Sequence, residues 1–142
     1  MRIWRAHPLL GIGPDIFRHT YGPELGLPIW DDRVHTNSLY LELLVGTGVV
    51  GLAAFLLLIA LALWHAARVL AHFGGNDRLP HWWMALGCTA ALLTFLIHGV
   101  LDMFLEYSAT NLLLWALIGA LGSFAAIGGG SDDQPKRIQE YQ

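Results

Sequence analysis

The stretch Val49-Val50-Gly51-Leu52-Ala53-Ala54-Phe55-Leu56-Leu57-Leu58-Ile59-Ala60-Leu61-Ala62-Leu63 decides the fold. It is the middle of a charge-free run from Leu43 to Trp64, 22 residues long. Crossing a bilayer core of about 30 Å takes about 20 apolar residues in a helix. Water is absent there, so backbone groups must pair within the segment, and helix is the default. Two further charge-free runs have the same character: Trp82 to Leu101, 20 residues, and Tyr107 to Ile127, 21 residues. Trp64, Trp82, Trp83, Tyr107 and Trp115 lie at or near run ends, where amphipathic rings suit the headgroup layer.

Composition agrees with these runs. Charged residues are 13% of the 142-residue chain and hydrophobic residues 55%, whereas typical globular domains are about 25% charged. Residues 43–127 hold five charges (Arg68, Asp77, Arg78, Asp102 and Glu106), and the other 57 positions hold fourteen. A soluble domain with three such helices and so little polar surface would aggregate. Disorder is excluded by the hydrophobicity. Nucleic-acid binding is excluded by a net charge of −3 and a pI of about 6.1. The single cysteine, Cys88, lies in an apolar run, so neither a disulfide framework nor a cysteine-rich metal site can form.

The expected architecture is an all-α membrane protein. An irregular, partly helical extracytoplasmic loop, residues 1–42, precedes a three-span membrane domain, residues 43–127, with spans at about 43–64, 82–101 and 107–127. A flexible cytoplasmic tail, residues 128–142, follows, with Gly128-Gly129-Gly130 at its start. Basic residues near the span ends set the orientation. Arg68, Arg78, Lys136 and Arg137 fall on one side and Arg33 on the other, which puts residues 1–42 outside. Those residues contain no apolar segment of signal-peptide type. The expectation that follows is a carboxy-terminal piece of a larger protein with upstream spans. Within residues 1–36, Pro8, Pro14, Pro23 and Pro28 break regular structure, while Trp4, Phe17, Tyr21 and Trp30 argue for order.

Three groups of residues could carry chemistry. In Arg33-Val34-His35-Thr36-Asn37-Ser38-Leu39-Tyr40-Leu41-Glu42, Asn37 or Thr36 is the expected N-cap of the first span. His35 stands just ahead of it at the outer surface, able to take a proton near neutral pH, or else serving as an interfacial or capping histidine. Arg33, Arg18 and Arg5 offer guanidinium forks to phosphate oxygens, or are solvated loop charges with Asp31 and Asp32 as partners for Arg33. His98, Asp102 and Glu106 recur every four residues at the outer end of the second span, sharing one face of a continuous helix. They read as the polar wall of a site or as a structural lock between spans. Gly46, Gly48 and Gly51 at the head of the first span read mainly as small residues admitting a neighbouring helix, or as a loosened helix start. Metal, phosphate-loop and nucleophile-elbow motifs are missing, so no metal ligand and no cofactor is expected.

Three segments carry a family pattern. They are His7-Pro8-Leu9-Leu10-Gly11-Ile12-Gly13-Pro14 with Phe17; His35-Thr36-Asn37-Ser38-Leu39-Tyr40-Leu41-Glu42-Leu43-Leu44 with Gly46-Thr47-Gly48-Val49-Val50-Gly51-Leu52; and His98-Gly99-Val100-Leu101-Asp102-Met103-Phe104-Leu105. In order and position these resemble the carboxy-terminal part of the O-antigen ligase and O-antigen polymerase superfamily, over about residues 2 to 127. The resemblance implies a multi-pass enzyme of the bacterial inner membrane, with residues 1–42 on the periplasmic or outer side. It implies transfer of a glycan from undecaprenyl diphosphate to a hydroxyl of lipid A-core, another glycan or a protein, with inversion and without a metal. By the same resemblance His35 is the base, and Arg33, Arg18 and Arg5 with Asn37 hold the substrate. Thr36 separates His35 from Asn37, whereas many relatives have the two adjacent. Relatives also place diphosphate-binding arginines upstream of the His-Pro-Leu-Leu-Gly segment, so this chain alone is expected to hold an incomplete site. Two other readings stand beside this one: a non-enzymatic three-span scaffold or partner subunit, and a transporter fragment with His98 and Asp102 as a proton relay.

Overall fold

A computed structural model describes residues 2–72, 80–103, 105 and 107–129. Arg78, Glu106, Lys136, Arg137 and most of the 128–142 tail lie outside the described residues. The described chain is all-helical: α1 (Arg2–Ala6), α2 (Phe17–Glu24), α3 (Leu39–His72), α4 (Pro80–His98) and α5 (Ser108–Gly129). It divides into two compact units, Met1–Leu58 with Thr94–Leu112, and Ile59–Leu93 with Leu113–Gln142.

Helix α3 is long and apolar enough, over Leu39–Ala71, to cross a membrane. The apolar parts of the other two long helices, Trp82–His98 and Ser108–Phe124, are shorter. Helix bounds differ from the charge-free runs for local reasons. Helix α3 starts before Leu43 and continues past Trp64, where Leu39 and Leu41 at one end and Ala66, Ala67, Arg68, Leu70 and Ala71 at the other are good helix formers. Helix α4 ends at His98, just before Gly99, rather than running to Leu101.

In the first unit, α3 is broken. Gly48 has φ 68° and ψ −169°, a region only glycine occupies at low cost. Just ahead of the break the Thr47 hydroxyl donates to the Leu43 carbonyl at 2.7 Å, a bond that bends helices. A broken helix leaves carbonyls on one side and N–H groups on the other without partners. Residues 8–13, which we call the strap, fill both sets. The N–H groups of Ile12 and Gly13 donate to the carbonyls of Val45 (3.0 Å) and Gly46 (2.9 Å). The N–H groups of Val49 and Val50 donate to the carbonyls of Pro8 (2.9 Å) and Leu9 (3.2 Å). A Cβ at Gly48 would overlap the Leu9 carbonyl, and one at Gly46 would sit 3.3 Å from the Gly13 carbonyl oxygen. The space expected to admit a neighbouring helix at Gly46 and Gly48 therefore admits the chain's own strap.

Helix α2 ends by the same logic of satisfied carbonyls. Gly26, at φ 70°, donates to Pro23 at 3.0 Å, and Leu27 donates to Gly22 at 3.0 Å. This is a Schellman close. The chain then returns so that Trp30 lies over Gly22, where a Cβ would strike the indole. The Tyr21 hydroxyl donates to the Asp31 carbonyl at 2.6 Å, and Tyr21 stacks on Phe17 with centroids 5.6 Å apart.

In the second unit, Val69, Ala85 and Phe124 from three helices form one buried cluster, with Leu70, Cys88 and Ala120 packed against it. Leu92, Leu114 and Leu121 are fully buried. The Trp82 indole N–H donates to the Leu70 carbonyl at 3.0 Å. The Arg68 guanidinium lies 5.3 Å from the Trp64 ring centroid, a cation–π contact.

Replacing Gly48 by Ala is expected to cost about 1–3 kcal/mol in backbone strain, with a further loss as the Leu9 carbonyl is pushed away. Gly26→Ala, where a Cβ meets open space, is expected to cost only the left-handed penalty of about 1–2 kcal/mol. Thermal midpoints of the two variants in detergent micelles check the order; equal losses would mean the strap contact contributes nothing.

Candidate functional site

The start of α3 carries the polar residues of the site. Its first N–H, on the fully buried Leu39, donates to the Gly99 carbonyl at 2.8 Å and to the Asp102 carbonyl at 3.2 Å. The Tyr40 hydroxyl donates to the Leu96 carbonyl at 2.9 Å. The beginning of one helix thus satisfies the end of another, which would otherwise leave carbonyls unpaired. Gly99 is buried because Leu39 packs over it; a Cβ there would meet the Leu39 side chain.

Ser38 precedes the helix, and its carbonyl accepts the first intrahelical bond, from Glu42 N–H at 2.9 Å. This corrects the expected N-cap. Asn37 is exposed with φ 52°, a left-handed setting that asparagine tolerates. Thr36 uses its hydroxyl elsewhere. Its Oγ1 lies 2.9 Å from Glu42 Oε2 and 3.1 Å from the Ser38 carbonyl, and its N–H donates to Glu42 Oε2 at 3.3 Å. Glu42 is 7% exposed, a buried carboxylate in the first turn of a helix, where the aligned N–H groups favour negative charge. Sequence reasoning assigned Glu42 no role. The usual capping signal places the acid three residues after the cap; Glu42 is four after Ser38 and reaches back to Thr36 instead.

His35 is half-buried and immediately precedes Thr36, so the pair formed by Thr36 and Glu42 fixes the backbone on which it stands. Arg33 is exposed, and its N–H donates to Asp31 Oδ1 at 3.0 Å. Asp31 was an expected partner for the Arg33 guanidinium; its carboxylate instead makes a local turn with the Arg33 backbone. The Arg18 guanidinium pairs with Asp15, and its Nε is buried with no partner among the described residues. Arg5, in the last turn of α1, is exposed.

Beside this segment lies a cavity of about 590 Å³ whose walls include Ile3, Trp4, Phe17, Tyr21, Thr36 and Leu41. Its lining is mostly apolar, and Arg5, Arg18 and Arg33 are not among the described lining residues. The Trp4 indole N–H is buried without a hydrogen-bond partner among the described residues. Such a donor gains from any ligand oxygen that reaches it.

His98 closes α4, and the chain turns at residues 99–101, so His98 and Asp102 do not share the face of a continuous helix. Asp102 N–H still donates to the His98 carbonyl at 3.2 Å, and Asp102 Oδ1 accepts the Met103 N–H at 2.8 Å. Contact with the start of α3 runs through the backbone carbonyl of Asp102, not its carboxylate. Glu106 lies outside the described residues. Among the described residues, no three His, Cys, Asp or Glu side chains come together as a metal site.

The class that this geometry defines, among the described residues, is an all-helical chain with one membrane-length helix, whose broken first part is tied to the apolar strap. No family model, no curated protein and no solved structure matches it.

Removing the acid should be felt locally. Glu42→Ala leaves the Thr36 N–H without an acceptor and its hydroxyl with the Ser38 carbonyl alone, and is expected to cost about 1–3 kcal/mol. Glu42→Gln keeps one acceptor oxygen and should cost less. Proteolysis within residues 30–40 checks this: cleavage faster in the Ala variant than in the Gln variant is the expected result.

Proposed function

We propose that this chain is the carboxy-terminal, acceptor-activating part of a membrane glycosyltransferase of the O-antigen ligase or polymerase type. It would sit in a bacterial inner membrane with three spans formed by α3, α4 and α5. Residues 1–42 would face the periplasm or outer side. The donor is a glycan on undecaprenyl diphosphate, and the acceptor is a hydroxyl of lipid A-core, another glycan or a protein.

One observation carries the reading. The three segments on which the family resemblance rests meet in one compact unit. Residues 8–13 bind the break in α3, and the turn after α4 binds its first residue. Segments far apart in sequence that converge on one helix start are what a shared site requires. The length of α3 suits a span: residues 49–72 alone extend about 36 Å at about 1.5 Å per residue. Arg68 and Trp64 suit an interfacial anchor at the inner end.

In this reading His35 takes the proton of the acceptor hydroxyl as its oxygen attacks the anomeric carbon. The bond from that carbon to the diphosphate oxygen breaks, with inversion. The exposed guanidinium groups of Arg33 and Arg5, with Arg18 once freed from Asp15, meet the negative charge that develops on the leaving diphosphate. The apolar cavity beside Thr36 suits an apolar part of a lipid-linked donor.

A second reading, a non-enzymatic three-span scaffold or partner subunit, is favoured by one observation. None of the three arginines is among the described residues lining the cavity, and Arg18 is already paired.

His35→Ala separates the two readings. Loss of a general base is expected to lower glycan transfer by about 10²-fold or more, measured in membrane vesicles holding the complete protein and a lipid diphosphate-linked glycan. Unchanged transfer would remove His35 as the base. Arg33→Ala should raise the KM for the donor more than it lowers kcat; an unaltered donor KM counts against a diphosphate role.

A further inference from the structure

We infer that the strap, residues 8–13, lies at the membrane interface of the leaflet where α3 begins, with the Leu9 and Leu10 side chains among the outer parts of the acyl chains. Irregular backbone is stable at membrane depth only if its polar groups are paired by protein. The strap meets that condition on the side that faces α3, while the Leu10 N–H and carbonyl, with no backbone partner among the described residues, need the headgroup layer. The Pro8 and Leu9 carbonyls and the Ile12 and Gly13 N–H groups all pair with the backbone of α3 at its break. Within the strap's own turn, Gly11 N–H donates to the His7 carbonyl at 2.9 Å.

Side chains point to the same surroundings. Leu9 is 66% exposed and Leu10 75%, while Val49 and Val50, across the shared hydrogen bonds, are 45% and 55% exposed. Leu56 and Leu57 carry exposed apolar surface further along α3. The strap therefore continues the apolar surface of the membrane-length helix. Charge marks its limits. No Asp, Glu, Lys or Arg occurs from Ala6 to Pro14, and charged residues resume at once on either side, with Arg5 before and Asp15 after. Asp15 is paired with Arg18 and Arg5 is exposed. The occupant that fits an uncharged, apolar ridge continuous with a membrane helix, paired through its backbone on the side facing α3, is the phospholipid acyl chain just beneath the headgroups. Its consequence is positional: α1 and α2, which flank the strap in sequence, are held at the membrane surface and not free in the aqueous phase.

This inference rests on the proposal that α3 crosses a bilayer, and the test keeps the two apart. In a Cys88→Ala background, single cysteines are placed at Leu9, Leu10, Ile29 and Leu57 and labelled with an environment-sensitive fluorophore. The complete protein is reconstituted in phosphatidylcholine vesicles. Quenching is compared for aqueous iodide and for lipids spin-labelled at shallow and deep positions of the chain. Leu57 reports the span, and Ile29, 87% exposed in the loop, is the aqueous reference. The expected result is strong shallow-lipid quenching at Leu9 and Leu10, with iodide quenching several-fold weaker than at Ile29. Lipid quenching at Leu57 with free iodide access at Leu9 and Leu10 overturns the inference and leaves the span standing. Protection of Leu9 and Leu10 from both quenchers also overturns it, because protein rather than lipid then covers the ridge. No lipid quenching at Leu57 removes the span and the inference together.

Discussion

The first unit depends on one exchange of backbone hydrogen bonds, between residues 8–13 and the break in α3. A break in a helix of this kind exposes carbonyls and N–H groups that cost about 1–3 kcal/mol each when left unpaired away from water. The strap is the segment that makes the break tolerable, and the break is what gives the strap partners. Gly48 is the hinge of this arrangement, because its φ of 68° and ψ of −169° admit glycine alone and its missing Cβ leaves room for the Leu9 carbonyl.

The short helical segment between Leu39 and the break is consequently pinned at both ends. At its lower end the strap pairs with Val45 and Gly46. At its upper end Leu39 and Tyr40 pair with carbonyls near the end of α4. The bond between Thr36 and Glu42 then ties the incoming loop to this fixed segment. Placement of a buried carboxylate there is costly unless it is well paired. Two bonds from Thr36 and the N-terminal end of the helix supply that compensation. Rigidity in residues 35–42 thus comes from polar groups, whereas the second unit is held by apolar packing around Val69, Ala85 and Phe124.

Much of this was legible from the residues, and the failures have physical causes. A run such as Val49 to Leu63 has few alternatives to helix, so the all-helical class followed from it. Glycines at positions 46, 48 and 51 carry the same signal for close helix packing and for a helix break, since both need a missing Cβ. Only the partner tells them apart, and that partner is some 40 residues earlier in the chain. Spacing places His98 and Asp102 on one helical face, but Gly99 between them is a helix stop signal, and α4 ends at His98. Thr36, Asn37 and Ser38 are all competent caps, and sequence order cannot rank them. The choice falls to Ser38 because Glu42 engages Thr36, a contact with no short motif.

The site follows a division of labour that the proposed chemistry would need. A general base acts only if its position relative to the reacting hydroxyl is held within hydrogen-bond reach. Cations for a diphosphate have different needs, because they must remain solvated until the anion arrives; a guanidinium buried without a counter-charge is strongly unfavourable. The structure separates these demands. His35 stands next to the contact between Thr36 and Glu42, while Arg5 and Arg33 stay exposed and Arg18 is neutralised by Asp15. Under the proposed function, donor binding would draw the arginines inward against a histidine whose backbone is already fixed.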